Sequence, residues 1–291
     1  MATSAGAPVS GFRCGLVALI GRANVGKSTL VNAMVGQKVS IVSDKPQTTR
    51  GPVRAVLNSR GAQAVFIDTP GLHKPRTLLG QRLNRTALGA LEGVDLVVQV
   101  VDGKAGAGRG DLFVAEHLPR RQICVVNKID GMARAAVLAQ LQIVGEWGFE
   151  DYFAVSALAG NRVQQLVDAL VRALPEGPAL FPVDEVRSAD GDDREWVAEL
   201  VREQLLALAR EELPYSIACR VTDWEWPYVR CEILVERESQ KGIVIGHGGA
   251  VLKKVGSAVR SQLPPGAYLD LSVRVARDWQ QKPEALNRLG L

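Results

Sequence analysis

The sequence predicts an α/β domain with a mostly parallel sheet, followed by a smaller α+β domain. In residues 1–176, short apolar runs alternate with stretches of helical spacing, which is typical of a parallel sheet covered by helices on both faces. Residues 175–182 then bring prolines and a glycine in quick succession, and an acidic polar stretch follows. Beyond it, helical and strand patterns resume in a different order. The chain of 291 residues is long enough for two domains.

The first domain can be followed strand by strand. The apolar run CGLVALIG predicts a strand, and KSTLVNAMVG after it has helical spacing and ends at Gly36. The stretch VRAVLNSRGAQAVFIDTPG predicts two strands joined by a turn at residues 58–61. The runs VDLVVQVVD, RQICVVNKID and DYFAVSAL predict further buried strands. Ligands of such sheets bind beyond the carboxyl ends of the strands, so we expect the site there.

The second domain begins with a charged helix. In REWVAELVREQLLALAREE, an apolar stripe is formed by Trp196, Leu200, Leu205 and Leu208. The segments SIACRVTDWEW, YVRCEILVERES and YLDLSVRVAR predict strands, with a glycine-rich loop and a helix before the last of them. We therefore expect a disordered tail at 1–11, the first domain at 12–176, a linker at 177–194 and the second domain at 195–291.

Composition narrows the class of protein. Hydrophobic residues make up 47% of the chain and charged residues 23%, as in an ordinary soluble globular protein, and the net charge of +4 is mildly basic. The start of the chain resembles neither a signal peptide nor a transmembrane helix. The four cysteines (Cys14, Cys124, Cys219 and Cys231) have no paired or ligand-like spacing. We expect them to be reduced, as in the cytosol.

The loop GRANVGKS, residues 21–28, matches the phosphate-binding pattern G-x-x-x-x-G-K-[ST] between a strand and a helix. In that pattern, backbone N–H groups and the helix N-terminus face the phosphates. Lys27 would reach the β- and γ-phosphates, and Ser28 would bind Mg²⁺. We expect Lys27 to be catalytic through charge neutralisation.

Three later motifs specify the nucleotide. DTPG, residues 68–71, follows a strand, where Asp68 could hold Mg²⁺ through water and the Gly71 N–H could contact a γ-phosphate and so contribute to catalysis. NKID, residues 127–130, would recognise guanine, because the Asp130 carboxylate can accept both N1–H and the 2-amino group, which adenine lacks. SAL, residues 156–158, could support the base. Four motifs in this order predict a GTP site.

The candidate nucleotide-binding residues are Gly21, Arg22, Ala23, Asn24, Val25, Gly26, Lys27, Ser28, Thr29, Asp68, Thr69, Pro70, Gly71, Leu72, Asn127, Lys128, Ile129, Asp130, Ser156, Ala157 and Leu158.

A second glycine-rich loop, VIGHGGAVLKKVG, contains G-x-x-G but lacks the G-K-[ST] ending of a triphosphate site. G-x-x-G between helices is typical of the KH fold, which clamps single-stranded nucleic acid. Residues 237–277 carry seven basic and two acidic residues, so positive charge is concentrated around this loop. The candidate RNA-binding residues are Lys241, Gly246, His247, Gly248, Gly249, Lys253, Lys254 and Arg260.

The first domain resembles the translation-factor-related GTPases. The stretch DKPQTTR, residues 44–50, is similar to their first switch, so Thr49, or alternatively Thr48, would complete the Mg²⁺ shell and contribute to catalysis. Small signalling GTPases carry a glutamine after the DxxG glycine, where this chain has Leu72, and we therefore expect slow intrinsic hydrolysis. Asn24 matches an asparagine that binds K⁺ in related GTPases with a hydrophobic residue at that position.

From Cys14 to about Gly290 the chain resembles the Era family of bacterial GTPases, with a P-loop GTPase domain and a C-terminal KH-type domain. The shared segments include EGPALFPVDE, REWVAELVREQLL, EELPYS and the G-x-x-G region. The resemblance implies GTP/GDP and Mg²⁺ as ligands, binding to the 3′ end of 16S ribosomal RNA, and a role in maturation of the small ribosomal subunit. It also implies that the protein can associate peripherally with the inner face of the membrane, and we expect a cytoplasmic monomer.

Two other functions remain open from the sequence. One is an RNA-binding scaffold whose GTPase domain does not hydrolyse nucleotide, which Leu72 makes conceivable. The other is a GTPase of tRNA modification or membrane recruitment, with a C-terminal protein-docking module. A KH clamp predicts RNA affinity that falls clearly with salt, and a docking module does not.

Overall fold

The computed structural model describes residues 11–182, 185–186, 193–208 and 216–291. The described chain forms two compact units. The first contains residues 11–40, 51–73, 84–182 and 185–186, and the second contains residues 41–50, 74–83, 193–208 and 216–291. The expected disordered tail, apart from residue 11, and the middle of the expected linker lie outside the described residues. No helix in the described ranges is long and apolar enough to cross a membrane.

The first unit is built on a six-stranded sheet of order β2-β3-β1-β4-β5-β6. Strand β2 pairs antiparallel with β3, and all the other neighbouring strands are parallel, as the apolar runs predicted. The strands are β1 (Arg13–Ile20), β2 (Val53–Ser59), β3 (Ala62–Asp68), β4 (Leu96–Asp102), β5 (Ile123–Asn127) and β6 (Asp151–Ala154).

Helices cover both faces of this sheet. Along β1, Val17 and Leu19 belong to the apolar core on one face, and Ala18 and Ile20 to the core on the other, because successive strand residues alternate in direction. The helices are α1 (Lys27–Val35), α2 (Leu78–Gly89), α3 (Arg109–Glu116), α4 (Arg134–Gly145) and α5 (Val163–Ala173). Helix α1 ends where the sequence predicted, at Gly36, whose φ of 81° lies in the left-handed region.

The second unit is a three-stranded sheet with packed helices. Its sheet order is β7-β8-β9, with β7 and β8 antiparallel and β8 and β9 parallel. The elements are α6 (Asp193–Leu208), β7 (Ala218–Glu225), β8 (Tyr228–Val235), α7 (Glu238–Ile245), α8 (Ala250–Arg260), β9 (Tyr268–Val275) and α9 (Pro283–Arg288). In α6, Leu200 and Leu205 are buried as the apolar stripe predicted, but Leu208 is 38% exposed.

Two segments that are distant in sequence complete the second unit. Ile41 lies in the apolar core formed by α6, α7, α8 and the sheet. Leu79 and Leu83 pack with Trp279 and Leu286 in a smaller apolar cluster. Chain position alone would place both segments in the first domain. Residues 41–50 contain the predicted first switch, so this segment belongs to the unit that carries the second glycine-rich loop.

Candidate functional site: a nucleotide loop and a basic G-x-x-G loop

The phosphate loop connects β1 to α1, and its glycines are sterically required. A Cβ at Gly21 would lie 2.3 Å from the Val100 carbonyl oxygen. A Cβ at Gly26, where φ is 92°, would lie 2.5 Å from Asn127 Nδ2. Asn24 has a φ of 64°, a left-handed conformation that asparagine tolerates better than most residues. The loop therefore has the close-packed backbone that its sequence motif predicts.

Lys27 is folded into this loop. Its side chain is almost fully buried, and its ammonium group donates hydrogen bonds to the carbonyl oxygens of Gly21 at 3.2 Å and Arg22 at 3.1 Å. Burial lowers the pKa of Lys27 to about 8, and the nearby negative charge of Asp68 opposes this shift. The loop thus holds a cation in a desolvated position, which suits the binding of an anion.

The DTPG motif lies directly beside the phosphate loop. Asp68 is the last residue of β3, is fully buried, and is the register partner of Leu19 in β1. The Leu72 N–H donates a hydrogen bond to the Gly21 carbonyl at 3.0 Å. A Cβ at Gly71 would lie 2.5 Å from Ala23 Cα, so only glycine allows this approach. The order of strands in the sheet accounts for the proximity, since β1 and β3 are neighbours.

The NKID and SAL motifs are joined by side-chain hydrogen bonds. Asn127 Nδ2 donates to the Val25 carbonyl at 3.0 Å, and Asn127 Oδ1 accepts from the Ala157 N–H at 3.0 Å. Ser156 Oγ donates to Asp130 Oδ1 at 2.7 Å. Asn127 therefore ties the phosphate loop to both guanine motifs. Leu158, by contrast, is 82% exposed.

The four predicted nucleotide motifs therefore meet at the carboxyl ends of β1, β3, β5 and β6. Ser28, in the first turn of α1, and Asp68 supply oxygen ligands of the kind that Mg²⁺ prefers. Thr49, the other predicted Mg²⁺ ligand, is buried in the second unit. Within the ranges that the structure describes, no cluster of three or more His, Cys, Asp or Glu residues could hold a metal ion.

The second glycine-rich loop joins α7 to α8 as a tight 3-10 turn at His247–Gly249. Gly246, with φ of 73°, is required because a Cβ there would lie 2.5 Å from Val251 Cγ2. Gly248 and Gly249 also have positive φ, but a Cβ at either one would have nothing within 4 Å. The first glycine thus shapes the turn, and the later two leave its outer side open, where a nucleic-acid backbone could approach closely.

Basic side chains surround this loop. Lys253, Lys254 and Arg260 are exposed on α8, and Val255 and Val259 on its opposite face are buried. His247 is exposed in the loop, and Lys241 on α7 is partly exposed. In the part of the chain that the structure describes, no ion pair takes up Lys253 or Lys254. All the predicted RNA-binding residues therefore lie on α7, the loop or α8.

Known protein families match both halves of the chain. A family model described as a 50S ribosome-binding GTPase matches residues 16–128, and a KH domain model matches residues 212–280. GTPase Era of Mycobacterium bovis is 44% identical over 299 aligned residues, which cover 96% of this chain and 99% of the relative. The chain belongs to the Era family. GTPase Era of Mycolicibacterium smegmatis is 41% identical over the same share of both chains.

Solved Era structures match the whole fold. A single-residue variant of Aquifex aeolicus Era bound to GDP.AlF4⁻ superposes with a TM-score of 0.90 at 35% identity, covering 96% of this chain and 99% of that one. Era in complex with MgGDPNP and nucleotides 1506–1542 of 16S ribosomal RNA gives a TM-score of 0.91 at 35% identity, with the same coverage. The predicted fold class, GTPase activity and KH-type domain are confirmed by this membership of the Era family.

The structure also adds two residues to these sites that the sequence motifs do not contain. Lys104, in the loop after β4, forms an ion pair with Asp130 of the guanine motif. Arg202, on α6, donates hydrogen bonds to the carbonyl oxygens of Gln47 and Thr48 in the predicted first switch. Lys104 lies outside every motif, Arg202 lies in the shared segment REWVAELVREQLL but in no pattern that indicates its contact, and each is far in sequence from its partner. No signal in a single sequence could have indicated these contacts.

Proposed function

We propose that this protein is a GTP-dependent switch that binds the 3′ end of 16S ribosomal RNA and assists maturation of the small ribosomal subunit. One observation carries the proposal: an Era structure with MgGDPNP and nucleotides 1506–1542 of 16S RNA shares this chain's fold over 96% of its length. The exposed basic residues around the G-x-x-G loop support it, because they suit a phosphate backbone.

At the nucleotide site, Lys27 would contact the β- and γ-phosphates, and the phosphate-loop N–H groups would surround them. Ser28, Asp68 through water, and Thr49 would hold Mg²⁺, which neutralises phosphate charge when bound. Asp130 would accept the N1–H and 2-amino hydrogens of guanine, and Ser156 already orients one of its oxygens by a hydrogen bond of 2.7 Å. Adenine would leave the carboxylate without these donors, at a cost of roughly several kcal/mol.

Hydrolysis would rest on positioning rather than on a side-chain base. Leu72 can neither donate nor accept a side-chain hydrogen bond, so it cannot orient the attacking water as a glutamine would. Its backbone N–H is directed to the Gly21 carbonyl. We therefore propose slow intrinsic turnover. Asn24, exposed in the loop, would offer a ligand for K⁺, whose charge would offset charge that develops on the phosphates.

At the second site, the G-x-x-G loop would clamp the RNA backbone against the open side of Gly248 and Gly249. Lys253, Lys254 and Arg260 would bind the phosphates of the adjoining nucleotides. Most of the phosphate attraction would come from these three cationic side chains of α8.

Contacts of the predicted first switch suggest how nucleotide state reaches the RNA. Arg202 is 1% exposed and donates to the Thr48 carbonyl, and Glu203 Oε1 accepts from the Val42 N–H at 3.0 Å. Arg50 donates to the Ile217 carbonyl at 2.8 Å. Because residues 41–50 are part of the second unit, ordering of this segment by GTP and Mg²⁺ would affect the conformation of that unit. GTP would then favour RNA binding, and hydrolysis would favour release.

A ribosomal partner would place the protein in the cytoplasm. Its monomeric state and its peripheral membrane association stay predictions.

The proposal is tested by crosslinking the protein to RNA in cells and sequencing the bound fragments, for the wild-type protein and for a variant that cannot bind nucleotide. We expect fragments from the 3′ end of 16S RNA, enriched with the wild-type protein. Fragments drawn mainly from tRNA would instead support the tRNA-modification alternative and overturn the ribosomal one.

A further inference from the structure

The last residue of β4 and the loop that follows it contact all three polar residues of the guanine motif. The Gly103 N–H donates to the Asn127 carbonyl at 2.8 Å. Asp102 Oδ2 accepts from Lys128 Nζ at 2.6 Å. The ammonium group of Lys104 forms an ion pair with Asp130 Oδ2. Three consecutive residues thus contact Asn127, Lys128 and Asp130.

This loop is held in a fixed shape. Asp102 Oδ1 accepts hydrogen bonds from the Lys104 N–H at 2.9 Å and the Ala105 N–H at 3.0 Å, which closes a local turn. A Cβ at Gly103 would lie 2.9 Å from the Asn127 carbonyl oxygen, so a larger residue would push the loop away from the motif. The backbone that carries Lys104 is therefore positioned by its neighbours and does not depend on the ion pair.

The two oxygens of Asp130 each accept a hydrogen bond from a neighbouring side chain. Ser156 Oγ donates to Oδ1, and Lys104 Nζ donates to Oδ2. An ionised carboxylate offers about four lone-pair positions, so these two side-chain donors leave it capacity to accept further hydrogen bonds. That capacity is needed for the two parallel donors of guanine, N1–H and the 2-amino group. Ser156 and Lys104 together fix the rotation of the carboxylate from its two sides.

We propose that Lys104 is a positioning residue for guanine recognition, holding the Asp130 carboxylate in the orientation that accepts both guanine donors. The inference rests on the proposed assignment of Asp130 to the base. The simpler alternative is a surface ion pair without function, since the Lys104 side chain is 51% exposed and such pairs contribute little stability. The rigid turn under Lys104 and the shared contacts with the whole motif favour the positioning role.

The charge state of Asp130 is consistent with this role. Its pKa is lowered, first by the hydrogen bond from Lys104 and second by that from Ser156. The carboxylate is therefore ionised, and able to accept two donors, throughout the physiological pH range.

The test measures equilibrium binding of GDP and of inosine diphosphate, which lacks only the 2-amino group. In Lys104→Met we expect GDP affinity to fall about tenfold and the preference for GDP over inosine diphosphate to shrink about threefold or more. Lys104→Arg should restore most of that preference, because it returns a cationic donor. Arg60→Met, in the exposed turn between β2 and β3, makes the same charge change at the opposite end of the strands and should match wild type.

Unchanged GDP binding in a folded Lys104→Met protein would show that the lysine does not contribute to guanine binding. Tighter binding would show that the lysine competes with guanine for the Asp130 carboxylate. Either result would overturn the proposal. Asp130→Asn, measured in parallel with xanthosine diphosphate, tests the assignment of Asp130 to the base separately from the role of Lys104. If Asp130→Asn does not shift preference towards xanthine, the assignment of Asp130 to the base fails. If it does shift and Lys104→Met behaves as wild type, only the role of Lys104 fails.

Discussion

At the scale of single residues, Lys27 shows how the fold prepares a binding group. The loop buries its ammonium group, and this desolvation lowers the pKa of Lys27 to about 8 even though the group donates hydrogen bonds to loop carbonyls. A phosphate entering the loop would favour the charged form, because an opposite charge close by stabilises it. Nucleotide binding and protonation of Lys27 are therefore linked.

This linkage gives a pH dependence with a definite sign. Below a pH of about 8 the lysine is already charged, so nucleotide affinity should not change with pH through this group. At higher pH the free protein loses the proton, and GDP affinity should fall by up to about tenfold per pH unit. Lys27→Met should bind GDP more weakly but without this dependence. The measurement is GDP affinity from about pH 7 to about pH 9, and parallel pH curves for the two proteins would contradict the prediction.

Leu72 carries the second prediction at this scale. Without a side chain that orients water, single-turnover cleavage of GTP by the protein alone should be slower than about 1 per second.

If Asn24 helps to bind K⁺, the rate should be higher in K⁺ than in Na⁺ at equal ionic strength, and Asn24→Ala should abolish the difference. Equal rates in the two salts would remove Asn24 from the mechanism.

Single residues also show most clearly what a sequence can and cannot predict. Gly21, Gly26 and Gly71 could be predicted because close backbone approach leaves only glycine, and that constraint appears as a motif. Lys104 could not, because its role depends on β4 and β5 being neighbours and on a turn shaped by Asp102. A lysine after a strand has no distinguishing pattern until its partner is known.

At the scale of elements, the loop between α7 and α8 contains one glycine that is sterically required, Gly246, and two at which a Cβ would meet no other atom within 4 Å. Gly248 has a φ of 57° and open space around a Cβ, so asparagine or aspartate there would add only local backbone strain. The two substitutions have similar shapes and differ in charge. They therefore separate electrostatic effects on RNA binding from effects on folding.

We expect Gly248→Asp to weaken binding of the 16S RNA 3′ fragment far more than Gly248→Asn, with similar thermal stability in both. Lys253→Ala combined with Lys254→Ala should reduce the slope of log affinity against log salt by about 1.4, at roughly 0.7 per lost phosphate contact on single strands. Similar RNA affinities for the aspartate and asparagine variants, or an unchanged salt slope, would argue against RNA contact at this loop.

Helix α6 presents a second element-scale feature, the buried Arg202. Its guanidinium bonds the Thr48 carbonyl and Glu199, and its Nε lies 2.8 Å from Glu199 Oε1. Burial, and then the neighbouring charge of Arg202, lower the pKa of Arg50 to about 9. The second unit therefore holds two crowded cations that fix the backbone of residues 47–50.

Arg202→Met should release this segment and lower the free energy of unfolding by about 2 kcal/mol, because the Thr48 carbonyl loses a buried charged donor. Hydrogen exchange of residues 41–50 should accelerate. The effect of nucleotide on RNA affinity should shrink. Arg194→Met, on an exposed position of the same helix, is the control. A full nucleotide effect in a folded Arg202→Met protein would show that Arg202 does not transmit the signal.

At the scale of the whole molecule, the main finding is that two segments of the N-terminal half belong to the second unit. The sequence indicated two domains from its change in composition and from two glycine-rich loops. It could not indicate that residues 41–50 and 74–83 belong to the second unit, because Ile41, Leu79 and Leu83 are ordinary apolar residues until their packing partners are known. Through this interleaving, the segment that contains the predicted first switch is part of the unit that carries the G-x-x-G loop.

Linkage makes this account testable in one measurement. If GTP favours the RNA-binding state, RNA must favour GTP over GDP by the same factor. The affinity of the full-length protein for the 16S RNA 3′ fragment should be measured with GDP and with a non-hydrolysable GTP analogue, at one salt concentration. We expect about fivefold or tighter binding with the analogue, the lower end of typical coupling. Equal affinities in the two nucleotide states would contradict the switch.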